Sequence, residues 1–400
     1  MKRFRYLWVS VVFGCVGYAY AGLTFSGPGA RFAILPSARL YLGEVNSISG
    51  WTRQSIVQTN GNNSPTDWDP YWVDGTNVLY EIAPEAFSPK NEGDITTDAY
   101  SYELTTDLSL GPNRTLTFVS STLSNYTFVN GNGYIINLSE GFPNLIQIEA
   151  GHTVEIANAV IKNYDENSIV LGVGAVLKFL NTTIEFTDNR TITRELDLSG
   201  DIIINGYGYT LSFDTGASLN LVAGQLAINN LSMYGIGWQN LKCSTANGTI
   251  ILQNASLILT DNFRYKLGGL IAQDTLFSGF YGFNYESSLT FSIFRTVTMD
   301  SGFTFSYSPS VNRRDLIYME PTSQIYLNGC TLASTTTGMR LTKGTLIVDS
   351  QNLLYNTGAV SISQGIAFGD LNPDHNLGIE ILPGAKLELM SGKLIYQNSN

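Results

Sequence analysis

Residues 151–158 read GHTVEIAN, and 23 residues later residues 174–181 read GAVLKFLN. Each phrase opens on glycine and closes on asparagine, and apolar residues such as Val154 and Ile156 alternate between them. Alternation with a period of two is typical of a β-strand that buries one row of side chains. A strand phrase that returns at a fixed spacing predicts a stacked repeat protein.

Related phrases extend the repeat along the chain. GASLNL at 216–221 and GAKLEL at 384–389 belong to the same set. NTTIEFTDN at 181–189 returns 73 residues later as NASLILTDN, and VNGNGYII at 129–136 returns 75 residues later as INGYGYTL. We interpret these spacings as one and three turns of a unit of about 24 residues. The two Asn-Gly phrases should then lie at the same corner, three coils apart.

Glycine and asparagine at the phrase boundaries predict corners, because both accept positive φ or bond to nearby backbone. No long segment shows helical periodicity. We therefore predict an all-β, single-stranded parallel β-helix of roughly 12–15 coils. It should occupy residues 22–400, with excursions near 58–76 and 84–97 and an aromatic variant region at 262–310 that fills a wider core. Cys243 and Cys330 should be two separate buried thiols.

The first residues have the pattern of an export signal. Lys2, Arg3 and Arg5 precede a short apolar run, and Ala19-Tyr20-Ala21 follows as a cleavage site, which predicts a signal peptide at 1–21. A lipoprotein anchor at Cys15 is the less favoured alternative. No later run approaches the length of a membrane span. The expected location is outside the cell or at its surface, with the periplasm as an alternative.

Charge excludes one class of partner. Three of the 22 basic residues lie in the signal, which leaves 19 against 33 acidic residues, a net charge of −14 after cleavage. Such a surface argues against nucleic acid and against an anionic membrane as partner. A surface glycan or a host or cell-surface protein remains as the expected partner.

The corner and ladder phrases resemble those of the right-handed parallel β-helix of the pectin-lyase-like superfamily, and especially secreted or surface passenger-type proteins of bacteria. That resemblance implies a right-handed scaffold, and for the enzymes of the superfamily it implies polysaccharide cleavage. The Asn-Thr-Asp, Asp-Asp and Gly-His-Gly phrases of the hydrolases are absent here, and only Arg264-Tyr265-Lys266 matches the Arg-x-Lys phrase. We therefore predict no catalytic residues, no cofactor and no metal site.

Few titratable residues remain as candidates. His152 is expected at a solvent-exposed corner and His375 in a loop. The carboxylates Asp165, Glu166 and Asp188 are expected to solvate outer corners. Two histidines do not make a His-rich metal site.

One local cluster has the composition of a binding site. Two tryptophans, a tyrosine and two aspartates fall within seven residues, a combination that stacks on sugar rings and bonds hydroxyls. The candidate ligand-binding residues are Trp68, Asp69, Tyr71, Trp72 and Asp74. The alternative is a loop that caps the first coils, because an uncovered β-helix end exposes strand edges.

The leading functional hypothesis is a secreted or cell-surface β-solenoid that acts in adhesion or another interaction without catalysis. The alternatives are a polysaccharide lyase or glycoside hydrolase, or a glycan-binding module on the same scaffold. Convergence of acidic residues with Arg or Lys on one outward face over two or three coils would favour the enzyme. The chain ends on a strand-like phrase, so we expect either a released protein or a fragment of a longer one.

Overall fold

The computed structural model describes residues 101–397, apart from 121–124, 336–337 and 358–364, together with the backbone of five strands between residues 56 and 97. Strands make up 58% of the described residues, and parallel sheets stack as a β-solenoid of about 11 turns. The one helical element in the described residues is the 3-10 turn Glu166–Ser168. The predicted all-β solenoid is confirmed, with a turn number close to the expected 12–15.

Each coil of the solenoid runs through three faces in the order A, B, C. Face A holds Glu85–Phe87, Ser101–Leu104, Tyr126–Asn130, Thr153–Ala157, Val176–Leu180, Leu241–Cys243, Phe263–Tyr265, Gly282–Tyr285, Thr304–Tyr307, Thr331–Ser334, Gln351–Asn356 and Lys386–Ser391. Face B holds Leu108–Leu110, Ile135–Leu138, Val160–Lys162, Thr183–Glu185, Thr249–Gln253, Ile317–Met319, Met339–Leu341, Ile366–Phe368 and Leu394–Tyr396. Face C holds Ile95–Thr97, Leu116–Phe118, Ile146–Ile148, Ile169–Leu171, Arg190–Ile192, Thr210–Phe213, Ser232–Ile236, Ser256–Leu259, Gln324–Asn328, Gly344–Asp349 and Leu377–Ile381.

Four longer strands bend across a corner and serve two faces. Glu195–Asn205 and Ser218–Asn229 cross from face A to face B, whereas Gly269–Gly279 and Phe291–Met299 cross from face B to face C. The alternating side chains of every face converge on one continuous apolar core of buried Leu, Ile, Val and Phe. Burial of these stacked rows provides a hydrophobic stabilisation that a single coil cannot obtain alone.

The 23-residue phrase does mark neighbouring coils. Thr153 pairs with Val176 and Ile156 with Phe179 in parallel register. The glycine that opens each phrase has positive φ at Gly151, Gly174, Gly216 and Gly384. These glycines all stand at the corner where the chain enters face A.

The expectation for the 75-residue spacing was wrong. Pairing leads from Asn130 through Ala157 and Leu180 to Ser199, so three coils below Asn130 lies Ser199 and not Asn205. The first Asn-Gly phrase forms a corner between faces A and B, whereas the second lies between faces B and C. The 73-residue match likewise joins Thr183–Glu185 on face B to Ser256–Leu259 on face C.

The two Asn-Gly corners nevertheless share one conformation, which explains the match. Gly131 and Gly206 each donate their N–H to the coil below, at 2.7 and 2.8 Å, and accept from Tyr134 and Tyr209 respectively. The positive φ falls on Gly133 and Gly208 and on the residue before each. The Asn-Gly phrase therefore indicates a local backbone conformation, and this conformation can occur at more than one corner of the coil.

The aromatic region packs mainly inside, as predicted. Tyr265, Tyr285 and Tyr307 form a stacked row on face A, with ring centroids 5.9 and 6.5 Å apart. Each phenol donates to a backbone carbonyl of the following turn at 2.7 Å, and burial raises the pKa of all three. Satisfied hydroxyl groups let these large rings fill the core without an unpaired polar atom.

Two further expectations can be compared with the structure. Cys243 and Cys330 are buried free thiols, as predicted. In the described residues no helix has the length and apolar character needed to cross a membrane.

Residues 1–84 form a separate compact unit, in which Ile56–Thr59, Trp68–Asp74 and Val78–Glu81 make an antiparallel three-stranded sheet. In the second unit, the strands Glu85–Phe87 and Ile95–Thr97 pair in parallel with face A and face C neighbours.

The two glycines of one corner should respond differently to alanine. A β-carbon at Gly206 would lie 2.4 Å from Leu231 Cδ1 and 2.7 Å from Asn230 O, whereas one at Gly208 meets nothing within 4 Å and only the positive φ of 91° opposes it. We expect Gly206→Ala to cost about 3 kcal/mol and Gly208→Ala about 1–2 kcal/mol. Denaturant unfolding of both variants measures the difference, and equal losses would contradict this account of the corner.

Candidate functional site

Exposed aromatic side chains gather at the corner where face C passes into face A. Trp238 is 50% exposed, Phe280 86% and Tyr281 42%, and Tyr234 at the end of face C is 50% exposed. Asp261 lies on the coil between Trp238 and Phe280. We call these five residues the corner patch. Single exposed apolar residues are ordinary, but a group on adjoining coils marks an interaction surface.

The first two aromatics are held by the local backbone. Tyr234 points outward from Ser232–Ile236 and pairs with Ser212 above and Ile258 below, and a bulge at Gly235 shifts the register after it. The turn that carries Trp238 is closed by Asn240, whose Oδ1 accepts from Gly237 N at 2.7 Å and whose Nδ2 donates to Ala217 O at 2.9 Å. Trp238 therefore projects from a turn anchored to the coil above.

The remaining residues of the patch sit on the next two coils. The Oδ1 atom of Asp261 accepts from Asn262 N at 2.7 Å, and no other side-chain hydrogen bond or ion pair of Asp261 occurs among the described residues. Gly279, with a φ of 108°, packs against Leu259 O and directs Phe280 outward, and the ring of Phe280 covers Gly302 on the following coil. The Asn262 Oδ1 atom also accepts from Gly282 N at 3.0 Å. The turn that carries Phe280 and Tyr281 is thus in contact with the coils on both sides.

This arrangement of side chains suits a sugar better than a small apolar ligand. Aromatic faces stack on the apolar faces of pyranose rings, and a carboxylate oxygen accepts hydroxyl hydrogens. The patch is convex and open, and the two cavities that stand out in the described residues lie in the interior and are lined by apolar side chains. A polymer lying across the corner fits this geometry, whereas an enclosed small molecule does not.

A second polar array occupies the outward side of face A. Residues of alternating charge stand in register on successive coils, and the row is Glu155, Lys178, Asp197, Asn220 and Lys242. Glu195 flanks the row, and its Oε2 atom accepts from Lys242 Nζ at 2.7 Å and from Ser218 Oγ at 3.1 Å. Acidic residues and lysine therefore converge on one outward face, the arrangement that would favour an enzyme.

The two carboxylates of this array lie within reach of a common ligand. Asn220 Nδ2 donates to Glu195 Oε1 at 3.1 Å and to Asp197 Oδ1 at 3.0 Å, so those oxygens are at most 6.1 Å apart. Glycosidase carboxylates stand ~5–9.5 Å apart, but one of them must be a proton donor with a raised pKa. Here the hydrogen bond from Lys242 lowers the pKa of Glu195. A lowered pKa favours the ionised form of Glu195 and does not suit it to the role of the acid.

Glu166 corrects one expectation, because it is buried rather than solvating a corner. Its carboxylate accepts from Tyr164 OH at 2.8 Å and from Arg194 Nε, and Thr193 Oγ1 lies 3.4 Å away. Desolvation raises the pKa of Glu166, against the opposing effect of Arg194. With its side chain 3% exposed and its oxygens bonded, Glu166 ties the 3-10 turn to the next coil and has no access to a substrate.

His152 corrects a second expectation, since it is 1% exposed instead of lying in solvent. Its Nε2 atom is 2.8 Å from Thr127 Oγ1, and its Nδ1 atom is 3.4 Å from Ser120 Oγ. Thr127 is itself fully buried, at an inward position that Val154 and Leu177 occupy on the next coils. The histidine turned inward because a polar residue on the preceding coil offers it a partner.

His375 lies in a loop, as predicted. Its Nδ1 atom is 2.9 Å from Asp370 Oδ2. Burial alone would raise the pKa of Asp370, but hydrogen bonds from His375 and from Asn372 N hold it below its usual value. The pair closes a surface loop and is the natural comparison for the buried His152.

The aromatic cluster predicted near the start of the chain lies in the separate N-terminal unit. Trp68, Asp69, Tyr71, Trp72 and Asp74 all belong to the central strand Trp68–Asp74, and Tyr71 pairs with Ile56 on one side and Glu81 on the other. Their side chains lie outside the described residues, so the choice between binding platform and cap stays a prediction.

Sequence reasoning missed the corner patch. It treated Phe280 and Tyr281 as core residues, and it did not consider Tyr234 or Trp238. The sequence did contain a signal that could have identified them, namely a large aromatic residue directly after a corner glycine, as in Gly237-Trp238 and Gly279-Phe280.

Comparison with known proteins returns no relative, because no family model, no curated protein and no solved structure matches the chain. Within the described residues, no group of three or more His, Cys, Asp or Glu side chains is arranged to hold a metal ion.

The buried histidine should make stability depend on pH. Burial lowers the pKa of His152 below its ordinary value of 6.5, although Glu149 acts in the opposite direction. The folded protein then binds fewer protons than the unfolded chain just below pH 6.5, so stability is full above that pH and declines as the pH falls. Thermal unfolding between pH 8 and pH 5 should show a fall in Tm that is absent in His152→Ala. His375→Ala should keep the wild-type slope, and an unchanged slope in His152→Ala would disprove the assignment.

Proposed function

We propose that this chain is a non-enzymatic, secreted or cell-surface β-solenoid that binds a glycan through the corner patch. In this proposal the scaffold is right-handed and of the pectin-lyase-like kind, as the corner and ladder phrases suggest, and the basic, apolar and Ala-x-Ala pattern at 1–21 directs export. Binding by a rigid, exposed aromatic corner is the activity that the fold supports best.

The observation that carries the proposal is the exposure of Phe280, Trp238 and Tyr234 around Asp261. Ordering such side chains costs little conformational entropy, because aromatic residues have few rotatable bonds and these project from anchored turns. Exposed aromatic anchors also contribute most of the energy of binding sites. The chain has a formal net charge of −11, which disfavours a polyanionic glycan and favours a neutral or amino-sugar polymer.

Alanine substitution in the patch should separate binding from folding. Trp238→Ala and Phe280→Ala should each weaken binding of the best ligand on a glycan array about tenfold or more, since each removes a stacking surface. Both side chains are exposed, so Tm should stay within about two degrees of wild type.

Tyr209→Ala is the matched control. Tyr209 is 37% exposed at the opposite end of face C, and its loss should leave glycan binding unchanged. Equal losses in all three variants, or no glycan binding by the wild type, would refute the corner patch as the binding site. Trp68→Ala and Trp72→Ala in the same assay test the N-terminal cluster: weaker binding at constant Tm favours a platform, and a large fall in Tm favours a cap.

A polysaccharide-cleaving enzyme is the second candidate, favoured by the spacing of Glu195 and Asp197. We expect no turnover when the protein is incubated with a polysaccharide panel, with and without calcium, because the hydrogen bond from Lys242 lowers the pKa of Glu195, whereas a glycosidase acid needs a raised pKa. Reducing ends or unsaturated products released by the wild type and lost in Glu195→Gln would establish the enzyme instead.

A further inference from the structure

Face B carries a row of outward side chains that differs from the rows on the other faces. Parallel pairing places seven residues in one register on consecutive coils, five of them Ile or Val, and the row is Ile135, Val160, Thr183, Ile203, Ala227, Ile251 and Ile271. We call this row the face B stripe. Ile203 is 38% exposed, and the other six are partly exposed.

The fold itself does not require an apolar stripe at these positions. On face A, equivalent outward positions hold Glu155, Lys178, Asp197 and Lys242, so outward rows accept full charges without loss of the ladder. Five Ile or Val side chains in seven consecutive outward positions therefore need another explanation. An exposed apolar row of this length is typical of a surface that another molecule covers.

The margins of the stripe are almost free of charge. The row on one side begins with Asn137, Lys162 and Glu185 and continues with amides alone, namely Asn205, Asn229, Gln253 and Gln273. The row on the other side holds Asp201, Gln225, Thr249 and Gly269. One lysine against two acids leaves a net charge of −1 on these three rows over seven coils, compared with −11 for the chain.

We propose that the face B stripe is a self-association surface that joins two copies of this chain face to face. Two molecules of net charge −11 repel each other, and the three rows of face B described above carry only −1 of that charge, so a contact there adds little repulsion. The stripe is flat and repeats the same chemistry on every coil, so its best complement is an identical stripe related by a two-fold axis. No aromatic ring stands in the seven positions, which disfavours a sugar as the occupant.

The area of face B that the proposed dimer would bury is small. Seven coils at ~4.8 Å and strands of about five residues at ~3.3 Å give roughly 500 Å² on each copy. The total of about 1,000 Å² lies at the lower limit for a specific interface. The dimer should therefore be reversible, with a dissociation constant in the micromolar range.

Charge placed in the stripe should weaken the dimer, and the coil that carries Ile251 also provides a control position. Ile251 points outward on face B and Ile258 points outward on face C, seven residues later in the same coil. Sedimentation velocity of the whole chain over increasing concentration should show a monomer–dimer equilibrium. Ile251→Glu should raise the dissociation constant about tenfold or more, whereas Ile258→Glu should leave it unchanged.

A cysteine at the centre of the stripe gives a second readout that does not depend on tolerance of a charge. Ile203 is the fourth of the seven positions, so a two-fold axis places it against its own copy. In a Cys15→Ser background, Ile203→Cys should form an intermolecular disulfide under mild oxidation, because Cys243 and Cys330 are buried and do not compete. Ile258→Cys should not, because position 258 points outward from face C and not from the stripe. A chain that stays monomeric at the highest concentration, a dimer that Ile251→Glu leaves intact, or equal cross-linking of both cysteine variants would overturn the proposal.

Discussion

The parallel hydrogen-bond register between successive coils is the constraint on which the rest of this structure depends. Once Thr153 pairs with Val176, each residue of the paired strands has a fixed neighbour on the next coil, about 4.8 Å away. Residues at equivalent positions of successive coils therefore form rows along the axis, such as the core leucines, the stacked tyrosines and the surface charges. Corners must bring the chain back to the same register, so glycine and asparagine in positive-φ conformations gather there.

This register explains which polar residues the interior tolerates. A polar side chain turned inward is stable only when the neighbouring coil supplies its partner, because burial removes water as an alternative. Thr127 and His152 satisfy each other across one coil, and the Tyr285 hydroxyl is satisfied by the turn that follows its own strand. Glu166 follows the same rule with Arg194. In each case the partner comes from the adjacent coil or turn, so local pairing replaces the long-range networks of globular enzymes.

The same register decides how much could be predicted from the sequence. The 23-residue phrase predicted the solenoid because strands in register must share a length and an apolar pattern. The 75-residue match misled because the Asn-Gly turn at Gly131 and Gly206 depends only on local φ and on close contact with the next coil, and such a turn fits two different corners. Strand alternation predicts which residues point inward along a face, but it says nothing about a corner. Trp238 and Phe280 stand at corners, so strand alternation could not identify them.

The two proposed surfaces, the corner patch and the face B stripe, lie on different sides of each three-faced coil. The corner between faces C and A is the one corner of each coil that does not border face B. Two copies joined through the stripe of Ile203 and Ile251 would therefore leave both corner patches, with Trp238 and Phe280, uncovered on outer sides of the dimer. A dimer with two equivalent glycan sites converts the second binding event on a polymeric surface into an intramolecular one, and avidity then exceeds the affinity of a single site. Weak stacking at an open corner is sufficient under those conditions, which offers a physical reason for a patch without a deep pocket.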